Sequence, residues 1–139
     1  MEIKITVLGK PQPQPRHRHG QRGRFKGTYD PAKKAKADFV NGLLKQAPKK
    51  PFDKAVHIDI IFYFKRPKSH FGTGKNKNTL KLSAPAQHIV KPDIDNLLKF
   101  VCDSMNKVFW RDDSIICGVN TQKRYGDTAK TKMVVRMAD

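Results

Sequence analysis

The sequence predicts an α+β fold, a small mixed β-sheet of about four strands packed with two main helices and carrying long basic loops. Alternating apolar residues mark the strands, and apolar residues three to four apart mark the helices. These segments run strand, helix, strand, helix, strand, strand, with no internal repeat and no domain linker between them. The 139 residues therefore read as one domain, 1–139, long enough to bury a modest core without disulfides or structural metal.

The first strand runs from Glu2 to Leu8, with Ile3, Ile5 and Val7 on one face. From Gly9 to Tyr29 the chain reads as a long irregular stretch in which Pro11, Pro13 and Pro15 give way to a Gly, Arg and Lys-rich segment suited to facing DNA. Asp30 and Pro31 form a helix start, N-cap carboxylate then proline, and Ala35, Phe39, Leu43 and Ala47 recur behind it every four residues. Pro48 and Pro51 bound that helix. From Val56 to Phe64 apolar residues occupy both faces, which predicts a central strand.

The connection from Lys65 to Pro92 is far longer than the usual ~4–6 residues, and it is basic. Its Gly72-Thr73-Gly74-Lys75 phrase lacks phosphate-loop spacing, so no nucleotide cofactor is expected. Ile94, Leu97, Leu98, Val101, Cys102, Met105 and Val108 then fall at helical spacing, predicting an amphipathic helix from Asp95 to about Lys107. Trp110 reads as a packing anchor closing its end. Two strands follow, Ser114 to about Tyr125 and Lys132 to Met137, joined by a hairpin-like turn at Gly126-Asp127-Thr128. Cys102 and Cys117 lack zinc-site spacing and read as buried thiols.

Charge narrows the function. Twenty-nine Lys and Arg against 12 Asp and Glu give a net +17, which points to a polyanionic partner. Nothing approaches a transmembrane span or a signal peptide, and the basic residues lie mainly in loops, so a cytoplasmic protein with no membrane partner is expected.

Five of the 12 acids nevertheless crowd between Asp93 and Asp113. Neighbouring carboxylates repel each other and a phosphate substrate, and a divalent cation resolves that conflict. Magnesium takes oxygen ligands and is held through one or two carboxylates plus phosphates and water. If Asp93-Ile94-Asp95 is extended, both carboxylates point one way while Ile94 turns into the core. Asp95 also stands where the helix begins and has the competing role of N-cap, whereas Asp93 has no such duty. Asn96 reads as a helper, capping or hydrogen-bonding a ligand carboxylate. Lys99, one turn past Asp95, reads either as its ion-pair partner or as an ammonium for the scissile phosphate, and Asp103 as a solvated charge. Asp112 and Asp113 follow closely enough to return to the same site, although acidic turns are common.

Lys91-Pro92-Asp93-Ile94-Asp95-Asn96-Leu97-Leu98-Lys99, followed by Trp110-Arg111-Asp112-Asp113, resembles the signature of the RusA family of Holliday junction resolvases, common in bacteriophages and prophages. The proline and arginine-rich N-terminal loop, the Tyr29-Asp30-Pro31 helix start and the basic Lys, Gly and Asn loop extend the likeness over nearly the whole chain. The resemblance implies a homodimer that cleaves four-way DNA junctions by paired symmetric nicks, dependent on Mg2+ with Mn2+ as a substitute. It implies Asp93, Asp95 and Asp113 as catalytic, metal-binding carboxylates and Lys99 as a functional lysine, with Asp112 the weaker candidate. Paired cuts suit a two-fold dimer. Arg16, Arg18, Arg22 and Arg24, together with Lys65, Arg66, Lys68, Lys75, Lys77 and Lys91, are the expected contacts to DNA backbone. Two alternatives stay open: a nuclease for flaps or forks, and a non-catalytic basic nucleic-acid-binding protein whose aspartates are caps and turns.

Overall fold

The computed structural model describes residues 2–15, 18–22, 25–29 and 32–138, the two short stretches by their backbone alone. Four strands form a mixed sheet: β1 (Glu2–Leu8), β4 (Val56–Lys65), β5 (Ile116–Gly126) and β6 (Lys130–Met137), in the order β1-β6-β4-β5. Two helices, α1 (Lys33–Asn41) and α2 (Ile94–Met105), complete the expected α+β architecture. None of the described helices is long and apolar enough to cross a membrane.

Strand β4 is central, as its composition requires. Val56, Ile58, Ile60, Phe62 and Phe64 are buried on its inward face, and the alternate residues are half-buried. It pairs antiparallel with β6 and parallel with β5. The expected hairpin between the last two strands is therefore corrected: β5 and β6 lie on opposite sides of β4. Turn residues signal a reversal of the chain without saying which strand lies beside it. Crossing β4 takes two strand spacings, about 9.5 Å, within reach of a three-residue link at about 3.3–3.6 Å per residue.

A second correction concerns the stretch between the first strand and the first helix. It is not irregular throughout, because β2 (Arg18–Arg22) pairs antiparallel with β3 (Phe25–Tyr29) in a separate two-stranded sheet. The Gly and Arg-rich composition hid the hairpin, since its backbone pairing needs no apolar face. Asp30 and Pro31, the expected helix start, lie outside the described residues. Helix α1 ends at Asn41, sooner than the four-residue repeat suggests, and the chain continues as a 3-10 turn, Leu44–Gln46.

The core lies between the sheet's inward face and α2. Leu97, Val101 and Met105 of α2 are buried in one cluster with Ile5, Met133, Val135 and the β4 row, and Phe100 is buried as well. Phe39 of α1 meets Phe100 edge-on, ring centres 5.7 Å apart. Trp110 is wholly buried, the packing anchor that the sequence predicts. The cysteines depart from expectation: Cys102 is half-buried and Cys117 is exposed on the edge strand, with Sγ 3.3 Å from the Val56 carbonyl.

Candidate active site

Helix α2 carries the candidate residues, and the chain before it sets where they stand. Asp93 occupies the N-cap position with extended backbone (φ −72°, ψ 146°), its carbonyl accepting from the Leu97 amide at 3.2 Å. Its carboxylate makes no capping hydrogen bond. Asp95 stands in the first helical turn and takes the Asn96 N–H at 2.9 Å. The two roles are thus the reverse of those expected, with Asp93 at the cap and Asp95 inside the helix. Because the helix already begins at Ile94, the extended Asp93-Ile94-Asp95 arrangement does not form. Ile94 stays 36% exposed, and Leu97 is the residue that enters the core. Both carboxylates are solvent-exposed at the positive end of the helix dipole, where negative charge is favoured.

Lys99 lies one turn further on with its side chain 60% exposed, and its ammonium is 3.7 Å from Asp103, not paired with Asp95. Asp103 is no isolated solvated charge. It also meets Lys36 of α1 at 3.5 Å, so one carboxylate links the two helices. Past the helix the chain turns sharply through Lys107, at φ 68°. It is pinned where Phe52 donates to the Phe109 carbonyl at 2.9 Å and Arg111 donates to that of Phe52 at 2.8 Å. This reversal carries Asp113 back toward α2. Burial first, then the charges of Asp113 and Asp103, push the Cys102 thiol up to about 11 against the pull of Lys99, which places Asp113 within electrostatic reach of the Lys99–Asp103 stretch.

Asp112 has a local duty. Its carboxylate accepts the Ser114 N–H at 3.1 Å and caps the 3-10 turn Asp113–Ile115. Hydrogen bonding to Ser114, first to its side chain and then to its backbone N–H, holds the Asp112 pKa below the ordinary aspartate value. Asp113 is exposed and free of that cap. Among the described residues no three His, Cys, Asp or Glu side chains converge as a ready metal cage. The donor set is nevertheless of the kind magnesium takes, hard carboxylate oxygens open to solvent. Magnesium keeps several waters and substrate phosphates and requires only one or two carboxylates.

A cleft of about 720 Å³ opens beside Asp93, with Lys10, Pro11 and Pro13 on one wall and Lys91, Pro92 and Asn96 on the other. Its two walls are tied where the Gln14 amide donates to the Asn96 carbonyl at 2.9 Å. Lys65, Lys68, Lys75, Lys77 and Lys91 all present exposed side chains. Arg66 is placed differently: its guanidinium donates to the Pro85 carbonyl at 2.8 Å and lies 4.5 Å from the Tyr125 ring centre, so it serves the loop's own fold. Arg18 and Arg22 lie on β2, and Arg16 and Arg24 lie outside the described residues.

Sequence reasoning missed the residues that dock the long loop. Lys123 donates to the carbonyls of Val90 at 2.7 Å and Pro92 at 2.9 Å, and buried His88 stacks on Phe64 with ring centres 4.0 Å apart. A signal was present. In the alternation of β5, Lys123 falls on the inward face opposite Phe62, an unusual place for a lysine without a partner.

A net charge of +17 with exposed lysines around the carboxylates is the electrostatic footprint of a protein that binds nucleic acid. The family model for endodeoxyribonuclease RusA matches residues 9–136, and the chain belongs to this family of Holliday junction resolvases. It is also similar to the uncharacterized protein YqaN of Bacillus subtilis (strain 168), 30% identical over 136 residues that cover 96% of this chain and 95% of that one.

Proposed function

We propose that this endonuclease resolves four-way DNA junctions in the cytoplasm as a homodimer, each protomer hydrolysing one phosphodiester so that the paired nicks are symmetric. The observation that carries the proposal is the family match over residues 9–136, which encloses Asp93, Asp95, Lys99 and Asp113 together. Asp93, Asp95 and Asp113 would hold Mg2+, or Mn2+ in its place. When bound, such an ion polarises the scissile phosphate and the attacking water and neutralises charge on the leaving oxygen.

The chain's own side chains do the rest. The α2 terminus orients Asp93 and Asp95, whose carboxylates favour a cation over bare phosphate. Lys99, largely exposed, turns from Asp103 to the phosphate as negative charge develops there. Asn96, on the same turn, hydrogen-bonds a carboxylate or the strand, and Asp112 holds the turn that presents Asp113. Lys65, Lys68, Lys75, Lys77 and Lys91 bind backbone phosphates, with affinity that falls as salt rises. Hydrolysis adds water across the P–O bond: its oxygen joins phosphorus, and one of its protons ends on the leaving oxygen.

The test is cleavage of a labelled four-way junction, a flap and a linear duplex, each with and without Mg2+, by the parent and by Asp93→Asn. The proposal expects junction cleavage that needs the metal and falls more than about 100-fold in the variant, a larger loss than removing an outer-shell partner brings, while junction binding persists. Undiminished cleavage by Asp93→Asn would remove the assignment. Preferential cutting of the flap would reassign the substrate.

A further inference from the structure

We infer that Lys123 is a positioning residue for the α2 terminus, its ammonium clamping the backbone just ahead of Asp93 and so fixing where the two aspartates stand. The connection from β4 to α2 is long, and a connection of that length without local anchors samples many conformations. Here it is tied down in succession: Arg66 donates to Pro85 at 2.8 Å, His88 stacks on Phe64 at 4.0 Å, and Lys123 donates to Val90 at 2.7 Å and Pro92 at 2.9 Å. Each tie falls closer to Asp93 than the one before, and the Lys123 pair is the last. On the far side the Gln14 amide holds the Asn96 carbonyl, so the first turn of α2 is gripped from both directions.

The chemistry suits a clamp better than a DNA contact. Lys123 sits on the inward face of β5, opposite buried Phe62, and its side chain is only partly exposed. An ammonium has three N–H donors. Two are committed to carbonyls, in short bonds to a charged donor. Moving the 90–92 segment by even about 1 Å would carry Asp93 and Asp95 with it, a displacement that costs on the order of 100-fold where reacting groups must be aligned. The catalytic consequence rests on the junction-nuclease reading above; the clamp itself does not.

Lys123→Met keeps the stem and removes the donors, and Lys123→Arg keeps donors and charge. The first measurement is amide hydrogen exchange over residues 89–97, which is independent of activity. The second is junction cleavage with binding and salt dependence measured separately. Lys123→Met is expected to raise exchange in that segment, to lower kcat about 10-fold or more and to raise the Mg2+ requirement, with junction Kd and its salt slope unchanged. Lys123→Arg should recover most of both. A direct phosphate contact would instead weaken Kd and lower the salt slope by about 0.9. A purely structural role would lower Tm and leave kcat intact well below it. Either result overturns the inference, as would unchanged exchange over 89–97 or a Lys123→Arg chain no better than Lys123→Met. If the parent cuts no junction, the functional reading fails while the exchange measurement still decides the clamp.

Discussion

Replacing His88 tests how the long basic loop is docked. Its imidazole is 6% exposed, stacked on Phe64 at 4.0 Å and 19° between ring planes, with Tyr125 5.0 Å away. Ring pairs of this kind contribute about 0.5–1.5 kcal/mol each beyond the area they bury. Truncating a buried Phe or Trp costs about 3–5 kcal/mol. The smaller imidazole, at the edge of the core, should cost about 2–3 kcal/mol on conversion to Ala by scaling from that range. In a domain of this size that is roughly 6–12 °C in Tm. Burial, reinforced by the charge of Lys123 and opposed by the ring's own backbone, holds its pKa below 6.5.

The sign follows from which state takes the proton. As pH falls through the ordinary histidine value, the unfolded chain protonates at this position before the folded one, so stability drops. Above that value the contribution is complete. His88→Phe keeps a stacking ring and removes the titration. Phenyl is somewhat larger than imidazole, so its stability should stay within about 1–3 kcal/mol of the parent, the range of small-to-large core changes, with a shallower loss between neutral pH and the acid side. Thermal melts of parent, His88→Ala and His88→Phe across that pH range decide the matter, because the other histidines cancel in the comparison. A His88→Phe profile parallel to the parent's, or an Ala cost below about 0.5 kcal/mol, too small for loss of a stacked ring, would refute the reasoning.

The remaining expectations are brief. Because its thiol is pushed up to about 11 and half-buried, Cys102 should resist alkylation near pH 8, while exposed Cys117 reacts first; mass spectrometry of partly labelled protein reads the order. Asp112 should titrate below 3.8 by carboxyl NMR, and Ser114→Ala, which deletes the side-chain hydroxyl, should raise it. The stabilisation tied to that lowered pKa is present above the ordinary aspartate value and is lost as pH falls through the folded one.

Much of the fold was legible because it depends on local pattern. Alternation over Val56 to Phe64 marked the central strand, helical spacing from Ile94 to Val108 marked α2, and the size and apolarity of Trp110 marked an anchor. The hairpin β2–β3 was not legible, since backbone pairing of Gly and Arg-rich segments leaves no period in the side chains. The candidate site was half legible. Crowding of Asp93, Asp95 and Asp113 on a +17 chain could be seen at once, but which aspartate begins the helix could not, because either serves equally well as an N-cap by type.

By itself, then, the sequence determined the fold class, the inward and outward faces of its main elements, and a polyanion partner, all of which follow from hydrophobic periodicity and net charge. Only the tertiary structure decided that β4 separates β5 from β6, that Asp103 joins Lys36 to Lys99, and that Lys123 reaches across to the carbonyls before Asp93. Each of those depends on groups distant in the chain meeting in space. A lysine spends its donors on whichever carbonyls the fold brings within about 3 Å, and that choice leaves no mark on the residues beside it.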